Sequence, residues 1–261
     1  MDASTLPDDL SQRLDAWLAT SLERAEPLAF SDIRKGVRSL SALYVEGRGR
    51  GNIAPRSVEG AARRAALSTY YGVLHFLTAH HAAACLAPGA LGQPAELVDL
   101  GCGGGAAGAG VATALSTLPR VLGFDRSGWA IGEARRTYAA FGLRGRTRRG
   151  RLPQGLPRLA EGQLAVLGWV ANELTAEERN RLLTEIERGL DRGAQLMLLE
   201  PLSGRVSPWW ETVSTRLGAR GVESALVKAS LPLPDWIQRM DRAAGLDHRE
   251  LGARVLSGPV R

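Results

Sequence analysis

The stretch AELVDLGCGGGAAGAGVATAL, residues 95 to 115, runs from an apolar segment through an acid into clustered glycines and then into small residues at helical spacing. Gly101, Gly103 and Gly105 remove the side chains that would otherwise bar a ligand from the backbone, and the helix that follows offers free N–H groups. The next strand-like run, RVLGFD, ends in Asp125, 20 residues after Gly105, where a carboxylate can accept both hydroxyls of an adenosine ribose. Glycines and acid together describe a nucleotide-type ligand at the carboxyl ends of two neighbouring parallel strands.

Two cofactors fit that pair, NAD and S-adenosylmethionine. In the G-x-G-x-x-G register the loop supplies Gly101, Gly103 and then Ala106, a permitted but weak variant. Asp99, two residues before the first glycine, tips the choice. It suits the ammonium of a methionine moiety, whereas an acid beside a pyrophosphate would be repulsive. Cys102 inside the loop and Arg126 after the ribose acid complete the expected cofactor-binding set.

The elements that position these residues follow from periodicity. Leu10, Leu14, Trp17, Leu18 and Leu22 recur at helical spacing, and so do Ile33, Val37, Leu40 and Tyr44. After a glycine-rich loop, VEGRGRGNIAPRS, a long helix is expected to stop before Pro88-Gly89. Residues 1–92 therefore read as a helical region. Residues 93–261 alternate strands and helices, which predicts a mostly parallel sheet covered on both faces. Within them GRTRRG is a poor strand candidate, while Thr175 and Glu178 form a capping box ahead of the stripe Leu182, Leu183, Ile186 and Leu190.

LVDLGCGGG, VLGFDRS, AVLGWVANEL and LMLLEP together resemble the class I S-adenosylmethionine-dependent methyltransferases over about residues 93 to 261. The resemblance implies a Rossmann-like, seven-stranded sheet with its last strand antiparallel, the methionine end of the cofactor at Asp99 and the glycines, and the ribose at Asp125. The acid that many members carry after the third strand for the adenine amine has no counterpart in RRGRLPQ, which leaves backbone groups or Gln154. VANELTAEERNRLLTEI followed by LMLLEP is similar to methyltransferase-like proteins that assemble the small ribosomal subunit, although Leu202 stands where those have glycine and the cysteine cluster of some members is missing. On the acceptor side the candidates are Trp169, Asn172, Glu173 and Glu200. Asn172 would hydrogen-bond a base edge or amine, and Trp169 would stack on a base or lie against the sulfonium. Asn172 and Glu173 can equally organise a helix start, and Trp169 can be core.

Composition sets the remaining expectations. The chain has 261 residues, 44% of them hydrophobic, enough for one α/β domain with an accessory part. Its net charge of +6 favours anionic partners, and Arg144, Arg146, Arg148, Arg149, Arg151 and Arg158 cluster without an acid, as an anion-binding edge or as a solvated run. RNA or the small ribosomal subunit is the favoured acceptor. A small-molecule methyltransferase with the N-terminal helices as a lid, a non-catalytic rRNA-binding assembly factor and an NAD-dependent oxidoreductase are the rivals. No stretch reaches the roughly 20 apolar residues of a membrane span, and the acidic N-terminus lacks a signal-peptide pattern, so a cytoplasmic protein is expected. His75, His80 and His81 on an apolar helix read as packing or surface residues, and no metal site is expected.

Overall fold

The computed structural model describes residues 6–46, 56–86, 89–204 and 207–259. Most of the glycine-rich loop expected after the second helix, and the Pro88 stop, lie outside these residues.

Helix α1 (Asp8–Ala25) buries Leu10, Leu14, Trp17 and Leu18, the stripe its spacing requires. Helix α2 (Phe30–Glu46) buries Ile33, Val37 and Leu40 in the same way. The long third helix is not uniform. It begins as α3 (Ala61–Ala66), widens into a π-helical turn over Leu67–Tyr71, and continues as α4 (Gly72–Ala84). Such π turns reorient side chains locally and recur at functional sites; here the turn carries Tyr70 and Tyr71.

The sheet is built from β1 (Glu96–Leu100), β2 (Arg120–Asp125), β3 (Gly145–Arg149), β4 (Gln163–Gly168), β5 (Gln195–Glu200), β6 (Glu223–Ala229) and β7 (Leu251–Gly258). Their spatial order is β3-β2-β1-β4-β5-β7-β6. The first five strands run parallel, and β7 is antiparallel to both β5 and β6. The weak GRTRRG candidate is β3, the exposed edge paired with β2. Its arginines suit that place, because charge on an edge strand discourages pairing with other chains.

Side-chain alternation splits the core into two layers. Leu97, Val121, Leu164, Val166 and Leu199 face α1 to α4 and the helices α5 (Ala106–Ala114) and α6 (Gly128–Ala140). Val98, Leu100, Phe124, Ala165 and Leu198 face α7 (Ala176–Asp191) and α8 (Trp210–Gly218). The first layer is continuous from Leu10 and Trp17 to Val255, so the N-terminal helices share one core with the sheet. The Thr175–Glu178 capping box starts α7, with Leu182, Leu183, Ile186 and Leu190 buried. Helix α9 (Asp235–Ala244) packs Ile237 and Met240 into the first layer. Among the described residues, no helix is long and apolar enough to cross a membrane.

Candidate active site

The strand order reverses between β1 and β4, which opens a crevice at the carboxyl ends of the sheet. A cavity of about 440 Å³ occupies it. Its floor is the glycine loop with Asp99 and Asp125, and its roof is drawn from the N-terminal helices, with Trp17, Tyr44, Tyr71 and His75.

The loop is shaped by left-handed glycines. Gly105 (φ 80°) caps α5, and a Cβ there would lie 2.9 Å from Ala134 Cα and Tyr138 Cε1, so only glycine fits against α6. Gly103 (φ 50°) differs. A Cβ there would meet nothing within 4 Å, so its open side faces the cavity and leaves room for a ligand to touch the backbone. The Gly101 and Cys102 N–H groups donate to Phe124 O at 2.7 and 3.0 Å and tie the loop to β2. Cys102 is buried among these groups, and burial pushes its thiol well up from its ordinary value.

Asp125 sits at the end of β2 as expected. Its carboxylate accepts from Gly103 N at 3.0 Å and from Ser127 N at 2.8 Å. Burial raises its pKa, and those two N–H groups pull it back. Arg126 is exposed and lines a smaller adjoining pocket with Asp125, Gly150, Arg151, Leu152 and Glu173. Gln154, a candidate for the adenine edge, is not among the residues lining that pocket.

Asp99 lines the cavity but is 1% exposed, with Oδ2 accepting from Tyr138 Oη at 2.8 Å. Burial raises its pKa to about 7, against the opposing pull of the Tyr138 hydroxyl and the Gly108 N–H. An acid whose pKa rises on folding costs stability as pH climbs from its unfolded value near ~4 towards 7. Tyr138→Phe removes a bond to the charged form, so the Asp99 titration is expected to move further upward. The variant should match the parent near pH 4 and lose about 1 kcal/mol above pH 7. Denaturant unfolding across pH measures this, and a uniform loss at every pH would show that the tyrosine acts by packing alone.

A second buried carboxylate, unseen in the sequence, adjoins the loop. Glu133 on α6 is 1% exposed and lines the cavity; its Oε2 pairs with Arg24 of α1 and its Oε1 has no partner. A buried acceptor left unpaired is costly unless a donor arrives.

The exit from β4 and the end of β5 hold the acceptor-side candidates. Trp169 adopts a left-handed backbone (φ 60°), a strained state for a residue with a Cβ. Its N–H donates to Leu199 O at 2.8 Å, and its ring stacks on His75 with centroids 4.1 Å apart and planes 13° off parallel. Burial lowers the His75 pKa to about 4, so that imidazole is neutral. Asn172 lines the cavity with both amide atoms engaged: Nδ2 donates to Glu200 Oε2, and Oδ1 accepts from Ser207 Oγ and Trp209 Nε1, each at 3.1 Å. Glu200 also accepts from Ala171 N at 2.9 Å and Asn172 N at 3.3 Å, and burial pushes it up to about 8 against those N–H groups. Glu173 lines both pockets. Burial, with the nearby Asp125 charge, raises it to about 8. Neither Trp209 nor Trp210 lines the cavity.

The arginine cluster is largely engaged with its own chain. Arg146 pairs with Glu96 at 3.0 Å and Arg151 with Glu178 at 2.8 Å, while Arg148 donates to Gly155 O and Arg149 to Arg126 O. Among the described residues, no group of three or more His, Cys, Asp or Glu is arranged to hold a metal ion.

No family model matches this chain, and no curated protein matches it by sequence. Solved structures do. Mitomycin 7-O-methyltransferase MmcR superposes with a TM-score of 0.51 at 14% identity, over 94% of this chain and 67% of that one. The pyocyanin biosynthetic protein PhzM aligns at 19% identity over 82% of this chain and 63% of its own (TM-score 0.48). The magnesium protoporphyrin IX methyltransferase of Synechocystis PCC 6803 aligns at 16% over 71% and 82% (TM-score 0.46). The strand order and the MmcR superposition define the fold as the Rossmann-like fold of class I methyltransferases.

Proposed function

We infer that this chain is an S-adenosylmethionine-dependent methyltransferase whose acceptor is a small molecule taken in beneath the N-terminal helices. The observation that carries the reading is the roofed cavity, which joins the glycine loop and Asp125 to aromatic walls contributed by α1, α2 and the π turn. The residues present fit the cofactor. Gly103 leaves open space at the backbone, Asp125 stands beside it for the ribose hydroxyls, and Glu133 Oε1 is a buried acceptor awaiting a donor such as an ammonium.

When bound, the cofactor supplies a methyl group on a sulfonium. Much of the barrier to such a displacement falls by holding the acceptor close and aligned. The stacked pair of Trp169 and His75 forms one rigid wall for that purpose, and an indole face also attracts a sulfonium cation. Asn172 and Glu200 fix the loop from which Trp169 projects.

An RNA acceptor, in the small ribosomal subunit, is a second reading, supported by the arginine-rich β3 edge next to the smaller pocket. A cofactor-retaining, non-catalytic rRNA-binding factor would use the same edge. Calorimetric titration with S-adenosylmethionine, S-adenosylhomocysteine and NADH tests the cofactor, and saturable binding of the two adenosyl ligands only is expected. Incubation with tritiated-methyl cofactor and separate metabolite and ribosomal RNA fractions then tests the acceptor. Label in the metabolite fraction is expected, label in RNA transfers the conclusion to the second reading, and binding of NADH alone overturns both.

A further inference from the structure

One cluster in the cavity wall is not used by the cofactor. Tyr70 of the π turn, Asp241 of α9 and His248 in the segment leading to β7 meet although 171 residues separate the first two. Tyr70 Oη donates to Asp241 Oδ1, and His248 Nδ1 lies 2.9 Å from the same oxygen and 3.1 Å from Tyr70 Oη. The His248 N–H donates to Asp241 Oδ2 at 3.1 Å, so the carboxylate grips both ring and backbone. Asp241 and Tyr70 are buried, whereas the His248 ring lines the cavity.

This arrangement selects a tautomer. With the Nδ1 proton directed to Asp241, Nε2 keeps its lone pair, and among the described residues it has no protein partner. The groups interacting with the imidazole are Asp241, Tyr70, the neighbouring Asp247 and, from α4, His75, which burial keeps neutral. The cavity that the His248 ring lines is also lined by the aromatic rings of Trp169, His75 and Tyr71, with Trp169 stacked on His75.

We propose that His248, oriented by Asp241, is the general base for an aromatic hydroxyl acceptor bound against the Trp169–His75 wall. The proposal rests on the methyltransferase reading. In the reaction the acceptor oxygen bonds to the methyl carbon as the carbon–sulfur bond breaks. The electron pair of that bond stays on sulfur, and the hydroxyl proton passes to His248 Nε2 and then to solvent. Asp241 is a positioning residue, holding the ring and offsetting the imidazolium charge. A phenolic hydroxyl, with a pKa of about 10, is a weak nucleophile near neutral pH until its proton is removed.

The test uses the full chain saturated with S-adenosylhomocysteine, whose neutral sulfur removes any attraction from a sulfonium, and 4-nitrophenol as the optical probe. Below the probe's own pKa, the wild-type complex is expected to show the phenolate band on saturable binding. His248→Gln should keep homocysteine-cofactor affinity within about threefold and bind the probe as the neutral phenol. Asp241→Asn should show an intermediate band. Methyl transfer to the probe should fall at least ~100-fold in His248→Gln, the scale of general-base contributions. Retained cofactor binding with no saturable phenol binding overturns the proposal, and so does an unchanged phenolate band in His248→Gln. Loss of cofactor binding in the wild type instead overturns the underlying methyltransferase reading.

Discussion

Asp125→Ala is expected to weaken S-adenosylhomocysteine binding about 100-fold while the protein stays folded. A carboxylate accepting ribose hydroxyls makes charge-assisted bonds of about 1.5–3 kcal/mol each, so removing the group costs about 3 kcal/mol of binding, or about two decades in Kd. The loss has a second source. The same carboxylate holds the Gly103 N–H at 3.0 Å, and without it the glycine loop is no longer preorganised on its open side. Asp125→Asn keeps an uncharged acceptor and should lose about tenfold. Calorimetry gives the affinities and thermal melting confirms the fold. A folded alanine variant with parental affinity would remove Asp125 from the ligand site.

The largest effect on stability is expected from Glu200→Ala. Its carboxylate accepts three N–H donors, from Ala171, Asn172 and the Asn172 amide, at a position 0% exposed to solvent. Alanine leaves all three without an acceptor and opens a void beside β5. Buried donors left unpaired cost about 1–3 kcal/mol each, with partial relief by rearrangement, so a loss of about 4 kcal/mol follows. For a chain of this size that lowers Tm by about 8–16 °C. Glu200→Gln should recover about half. Its oxygen can still serve the two backbone donors, but its NH2 then meets the Asn172 NH2, which cannot turn because Trp209 Nε1 holds Oδ1. Amide exchange at Ala171 and Asn172 should accelerate with the melting change. An alanine variant within about 1 kcal/mol of the parent would show that the loop is held by other contacts.

The elements around the glycine loop are legible in the sequence because their determinants are local. The sheet alternation, the positive-φ glycines, the strand-ending Asp125 and the Thr175 cap each lie within one turn or one strand-to-helix junction. β3 was hard to read for a physical reason: an edge strand of alternating arginines buries none of its residues and leaves no hydrophobic period. The remainder of the site depends on distant pairings. His248 and Asp241 gain meaning only when the π turn brings Tyr70 to them, and no spacing reports a π turn. Glu133 was obscured in the same way. On the helix pattern it is one more polar residue of α6, and neither its place in the cavity wall nor its pairing with Arg24, 109 positions earlier, is visible in that pattern. Asn172 was read as an acceptor contact or a helix-start residue, and the structure shows its amide spent on Glu200, Ser207 and Trp209.

The order β5-β7-β6 carries a consequence for how the molecule is made. β6 touches the sheet only through β7, and β7 is synthesised after it. During translation, β5 must therefore present an unpaired edge while β6 and α9 emerge, and β6 can join the sheet only once β7 is available. Because His248 lies just before β7 and its partner Asp241 on α9, the part of the cavity wall that His248 supplies is completed at that same late stage. A nascent chain thus has its glycine loop well before its cavity is closed on the His248 side.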